Sequence, residues 1–328
     1  MEDAVPKQHR RMKHYRKQPL NSFQPKRQDS IWKRVKKHRG LLALMIPGLI
    51  AFIIFNYVPM YGITLAFKEF QIRKGIMGSE WVGLKWFERI IQDPYMRVVL
   101  LNTLKISLLK LVIGFPVPIL FALLLNEIRS VKYMKLVQTV SYLPNFISWV
   151  VLAGIFFSIF SVNGPINALV QMFGGKPRIF LSEQSSFVPI LVFTDIWKGF
   201  GWGSIIYIAS IAGIDPGLYE AARIDGASRL KCALHITLPC LVPVITIQLT
   251  LQIGGLLNAG FDQIFNMYNA SVMRVADVID TYVYRLGMIN REYSYATAVG
   301  LMNSIVAILL IWIANRAAKA AGNNYTLW

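Results

Sequence analysis

Charged side chains stand deep inside stretches that are otherwise apolar, among them Lys110, Asp195 and Lys198. A charge in lipid is costly, so such residues face a bundle interior or a water-filled path, where they pair, relay ions or meet a substrate. Asp195 and Lys198 are three residues apart, on one helical face, and can neutralise each other. The alternative is that Lys198 faces a pathway and meets an acidic or hydroxyl-rich solute. Lys110 lies deep in its segment, whereas Lys105 sits near an outer end from which its ammonium can snorkel. Amide side chains form a second set. At 100° per residue, Gln248, Gln252, Asn258 and the flanking Asp262 fall within an arc of about 120° on one helix face. Gln252 and Asn258 are therefore candidates for reading a polar solute, with interhelical hydrogen bonding as the competing role.

Catalytic constellations are missing from these stretches. His9, His14, His38 and His235 all lie outside them, and neither an HExxH nor a GxSxG string occurs. A GxxxxGK[ST] string is also absent, so the polypeptide is not expected to hydrolyse ATP itself. Taken alone, Asp195, Lys198 and Lys110 would suit the ion relay of a secondary transporter.

The elements that must position these residues are membrane helices. With 55% hydrophobic residues, 16% charged ones and a mean hydropathy of +0.45, the chain is too apolar for an ordinary soluble domain. Six segments are long and apolar enough to cross a bilayer: 41–67, 98–125, 136–161, 187–214, 240–261 and 296–318. Backbone groups in lipid must bond within their own segment, so the expected fold is all-α and polytopic, with six transmembrane helices. The first apolar run outlasts a signal-peptide core and is expected to stay in the membrane.

The net charge of +18 is concentrated rather than spread: thirteen of the 35 Lys and Arg lie in residues 1–39. A basic arm abutting an apolar run reads as a cytoplasmic anchor beside anionic headgroups, and no nucleic-acid-binding module accompanies it. The Lys and Arg bias places both termini in the cytoplasm. Loops 126–135 and 215–239 are then cytoplasmic, with 68–97, 162–186 and 262–295 outside. Cys232 and Cys240 fall near the cytoplasmic face, where a disulfide is not expected.

Loop 215–239 reads as a helical hairpin. Asp215 can cap a first helix with Pro216 at its first position, and Asp225-Gly226 marks a turn. A second helix is predicted from about Ala227 to His235, stopping before Leu238 and Pro239 because proline lacks an N–H.

Within it, Glu220, Ala221, Ala222, Gly226, Ile236, Leu238 and Pro239 follow the pattern E-A-A-x-x-x-G-x9-I-x-L-P and resemble the EAA loop of ABC import permeases. The stretches NYVPMYGITLAFKEF, WVGLKWF, LNTLKISLLKLVIGFPVPILFALLLNEI, YLPNFISWVV and NNYTLW look like carbohydrate-uptake permeases of the polysaccharide-fragment branch. The resemblance implies a type I ABC importer permease fold, with a permease core over 98–318 between the first span and external loop (40–97) and a tail (319–328). It also implies a bacterial cytoplasmic (inner) membrane location and a partner set: a second homologous permease, two ATPase subunits that bind ATP and Mg, and an external solute-binding protein. The expected solute is an oligosaccharide, including acidic ones from alginate or pectin. The EAA residues would couple to the ATPase, and Gln252, Asn258, Lys198 and Lys110 would border the substrate pathway. No cofactor is expected on this chain.

Overall fold

A computed structural model of the chain describes residues 39–320, so most of the basic arm and the tail from 321 lie outside the described residues. Two units are distinguished, one ending at Pro59 and the other beginning at Met60. In the first, the α-helix Arg39–Phe52 runs into a π-helical turn, Ile53–Tyr57, and no residue of either is buried. Its leucines, isoleucines and phenylalanines are outward-facing, as a bilayer permits and water does not.

Four stretches among the described residues are long and apolar enough to span a membrane: Arg39–Phe67, Pro94–Asn126, Arg229–Gly254 and Tyr293–Ala317. The expected third span is a bent pair, Val131–Phe146 and Trp149–Ile159, turned by 101°. The expected fourth is the 29-residue helix Gln184–Ala212. At about 43 Å it is long enough to cross, but Asp195, Lys198 and several glycines keep it below the hydropathy of the others. All are called spans below, in sequence order. The single sheet among the described residues is a two-residue antiparallel ladder pairing Lys68–Glu69 with Glu80–Trp81, a minor exception to the all-α expectation.

Prolines shape three of the helices in the same way. The π-helical turns Ile53–Tyr57, Lys110–Gly114 and Ala233–Thr237 each end two residues before a proline, at Pro59, Pro116 and Pro239. Proline cannot donate to the carbonyl four residues back, and its ring crowds that carbonyl. Widening the preceding turn to i→i+5 bonding makes room and lets the helix continue. The predicted stop before Leu238 and Pro239 is therefore corrected: the second helix of the hairpin begins at Arg229 and runs on to Gly254 as the fifth span.

Helix starts follow the local chemistry closely. Asp93 caps Pro94–Leu109 by accepting from Tyr95 N at 2.9 Å, with Pro94 at the first position. Ser130, Ser148 and Ser228 cap the helices that follow them. In the second unit the fourth span packs along Pro116–Asn126, and the sixth lies against the fifth and the 3₁₀ turn Tyr61–Phe67. Three apolar clusters lie between them, centred on Leu191 and Ile264, on Val99 and Tyr295, and on Tyr207 and Leu241.

Candidate functional site

A largely buried charge between the second and fourth spans is held by atoms far away in sequence. Lys110 Nζ donates to Asp195 Oδ1 at 3.1 Å, to Ala259 O at 2.9 Å and to Gln263 Oε1 at 2.6 Å. Gln263, 1% exposed, passes its own amide hydrogens to Leu191 O and Thr194 Oγ1. One ammonium thus fastens the second and fourth spans to the segment that follows the fifth. The arrangement needs an acceptor-rich turn there, and Gly260 supplies it by adopting φ +95, a conformation an L side chain disfavours.

Two expectations are corrected here. Asp195 pairs with Lys110, not with Lys198, because the fourth span turns its carboxylate toward the second span. The fifth helix ends at Gly254, so Asn258 belongs to a turn and the single-face arc drawn through Gln248, Gln252, Asn258 and Asp262 does not hold. Gln252 and Asn258 nonetheless meet Lys110 and Asp195, because all four line one cleft of about 450 Å³ between the second, fourth and fifth spans. Phe115 and Phe200 contribute aromatic walls.

Lys198 stands apart from that cleft. Its ammonium accepts nothing and donates to the carbonyls of Pro144, Asn145 and Ile147 at 3.2, 2.9 and 2.6 Å. These carbonyls lie where the third span bends, so helix bonding leaves them short of donors. A second cleft, bordered by Trp149, Asp262 and Asn266, opens beside it.

On the predicted cytoplasmic side, Asp215 Oδ1 accepts from Gly217 N at 2.9 Å and opens the helix Pro216–Ile224. Gly226, at φ +77, closes it with Ala227 N donating to Ala222 O at 2.9 Å. Tyr219 and Thr237 share a hydrogen bond of 2.9 Å that ties the two hairpin helices together. Glu220 and Ala221 are exposed, Ala222, Ile236 and Leu238 are half-buried, and Pro239 is exposed. Glu220 makes no ion pair among the described residues; it borders a groove of about 390 Å³ with Arg223 and Arg229. Ile224 and Leu230, 87% and 69% exposed, add apolar surface to the hairpin.

Sequence reasoning missed a third cluster, on the expected external side. Asp277, fully buried, receives Tyr95 OH at 2.7 Å, Thr281 Oγ1 at 2.7 Å and both guanidinium nitrogens of Arg285. Asn102 donates to the carbonyls of Arg274 and Asp277, and Thr103 Oγ1 accepts from Ile279 N. Burial works against the Arg285 charge, but the Asp277 carboxylate outweighs it and holds the guanidinium above its ordinary range. The one local signal was the Asp93-Pro94 start; the Asp277 and Arg285 pair is eight residues apart and carries none.

A helical membrane bundle with a polar intramembrane cleft, whose fifth span begins in a helical hairpin, is the build of a transport permease. The chain belongs to the family described as the inner membrane component of binding-protein-dependent transport systems, whose model matches residues 94–322. This family membership sets aside the ion-relay alternative. The chain is 44% identical over 301 residues to the polygalacturonan/rhamnogalacturonan transport system permease protein YteP of Bacillus subtilis (strain 168), covering 92% of this chain and 94% of that one. It is 44% identical over 286 residues to the protein LplB of the same organism, covering 87% and 90%. Among solved structures it resembles a chain of a bacterial ABC transporter involved in the import of the acidic polysaccharide alginate. The TM-score is 0.81 at 40% identity, over 88% of this chain and 98% of that one.

Proposed function

We propose that this permease moves oligosaccharides, uronate-containing ones in particular, inward across the bacterial cytoplasmic membrane at the cost of ATP. The observation that carries the reading is the cleft of Asp195, Gln252 and Asn258 between aromatic walls, because amides and carboxylates match the hydroxyls of a sugar and rings match its C–H faces. The relatives named for polygalacturonan and alginate supply the preference for acidic chains.

In this reading a second homologous permease completes the pathway, and two separate ATPase subunits bind ATP and Mg. An external solute-binding protein delivers the sugar, as suits the similarity to an alginate transporter in complex with a substrate-bound periplasmic protein. Both termini lie in the cytoplasm. The hairpin is the coupling element: Ala221 and Ala222 keep its helix narrow, Glu220 pairs with a basic residue of the ATPase, and Gly226 sets the turn. Ile236, Leu238 and Pro239 lie within the fifth span, which continues from the hairpin, so closure of the ATPase pair moves the cleft between two accesses.

The test is uptake by proteoliposomes holding the complex co-purified from its host. ATP-dependent accumulation of oligogalacturonate or alginate oligosaccharide is expected. Accumulation driven by an ion gradient without ATP, or of neutral sugars alone, would overturn the respective part of the proposal.

A further inference from the structure

The cleft treats its two charges unequally. An ammonium has three hydrogens to donate, and Lys110, 13% exposed, directs them at three protein acceptors. It has none left for a solute. Asp195 is 37% exposed, and only its Oδ1 is bonded; Oδ2 has no hydrogen bond among the described residues. Two further groups on the cleft wall are unengaged. Among the described residues, Ser107 Oγ, one helical turn before Lys110, is buried without a partner, and the exposed Gln252 amide makes no side-chain hydrogen bond. Buried polar atoms without partners are uncommon in folded proteins and mark places where a ligand or water completes the bonding.

The geometry points to Asp195 as the specificity-determining residue of the cleft: its free carboxylate oxygen accepts hydroxyl hydrogens from a sugar unit, beside Ser107 and Gln252. Lys110 is a positioning residue, which orients that carboxylate and pins the Ala259-Gly260 turn. It does not read substrate charge. Carboxylate–hydroxyl bonds are charge-assisted and short, so they discriminate strongly between a sugar hydroxyl and its absence. Phe115 and Phe200 offer faces for the apolar sides of the ring, and the cleft volume falls within the roughly 300–1,000 Å³ usual for ligand sites. The inference rests on the importer reading above and deepens it: this cleft selects hydroxyl pattern and is indifferent to uronate charge.

Asp195→Asn alone would strand the Lys110 charge, so the informative variant is Lys110→Met with Asp195→Asn, which removes the pair together. The complete complex, without binding protein, is equilibrated with radiolabelled oligogalacturonate and with a neutral oligosaccharide of equal length. The double variant should assemble and bind both probes at least tenfold more weakly than the wild type. Unchanged binding would make Asp195 only a counter-ion, and a loss confined to the uronate probe would make Lys110 a charge reader; either overturns the assignment. Should the double variant fail to assemble, Gly199→Cys places a thiol in open space one turn from Asp195. Maleimide labelling there, with Cys232 and Cys240 replaced by Ser, should slow several-fold when either sugar saturates the complex, and equal labelling with and without sugar would overturn the site. Failure of the wild-type complex to take up any oligosaccharide with ATP would sink the importer reading itself, whereas normal wild-type uptake beside an unaffected variant sinks only the role of Asp195.

Discussion

The Tyr282 hydroxyl donates to Asp93 Oδ2 at 2.7 Å, across 189 positions of sequence, and Tyr295 adds a second bond to the same oxygen at 3.0 Å. A single carboxylate therefore caps the second span and anchors the segment before the sixth and the start of the sixth itself. Burial pushes its pKa up, but the hydrogen bonds from Tyr282, Tyr95 N, Tyr295 and Met96 N outweigh this and hold it below 3.8. A carboxyl whose folded pKa is depressed adds stability that is complete above its unfolded pKa and is lost as pH falls through the folded value. Thermal unfolding of the purified complex should thus show an acid-side loss beginning near pH 4, and Asp93→Asn should diminish it. Asp93→Ala removes cap and acceptor together and should cost about 1–3 kcal/mol at neutral pH.

Asp280 has the opposite balance. Its Oδ2 is buried without a hydrogen-bond partner, and burial pushes its pKa above the usual carboxylate range. A raised folded pKa means that ionisation works against folding as pH rises through it. Asp280→Asn should raise the melting temperature at pH 7, and an unchanged or lower value would show a partner outside this chain.

Lys198 donates to three carbonyls at the 101° bend of the third span. Replacing it by Met leaves those acceptors without their donor at the bend, beside the second cleft. The loss of hydrogen bonds to a charged group, each about 1.5–3 kcal/mol, should lower assembly and thermal stability. Selectivity between uronate and neutral oligosaccharides, measured as an uptake ratio in whatever complex assembles, should stay the same, because the ammonium is committed to the backbone.

At Gly226 a new Cβ would meet nothing within 4 Å, so the constraint is the φ of +77 alone. Left-handed backbone costs an L residue about 1–2 kcal/mol, and asparagine tolerates it best. Gly226→Val should therefore uncouple ATP hydrolysis from uptake or block assembly, while Gly226→Asn retains most of both. Equal uptake by the two variants would detach the turn from coupling.

Local chemistry made much of this protein legible in its sequence. Asp215-Pro216 and Asp225-Gly226 bound the first hairpin helix, and the apolar runs mark the membrane segments, because capping, proline geometry and hydropathy act over a few neighbouring residues. Where the sequence reading went astray, the deciding atom was distant or the helix adjusted. Pro239 does not end its helix, since a π-helical turn absorbs the lost bond. Asp195 has an available lysine three residues away, yet its partner is Lys110, 85 positions earlier in the chain. Periodicity lists which residues share a helix face; which neighbouring helix that face meets is set by packing between spans. Only the folded chain brings Lys110, Asp195 and the turn at Gly260 together, and it is that meeting which leaves one carboxylate oxygen open to the cleft.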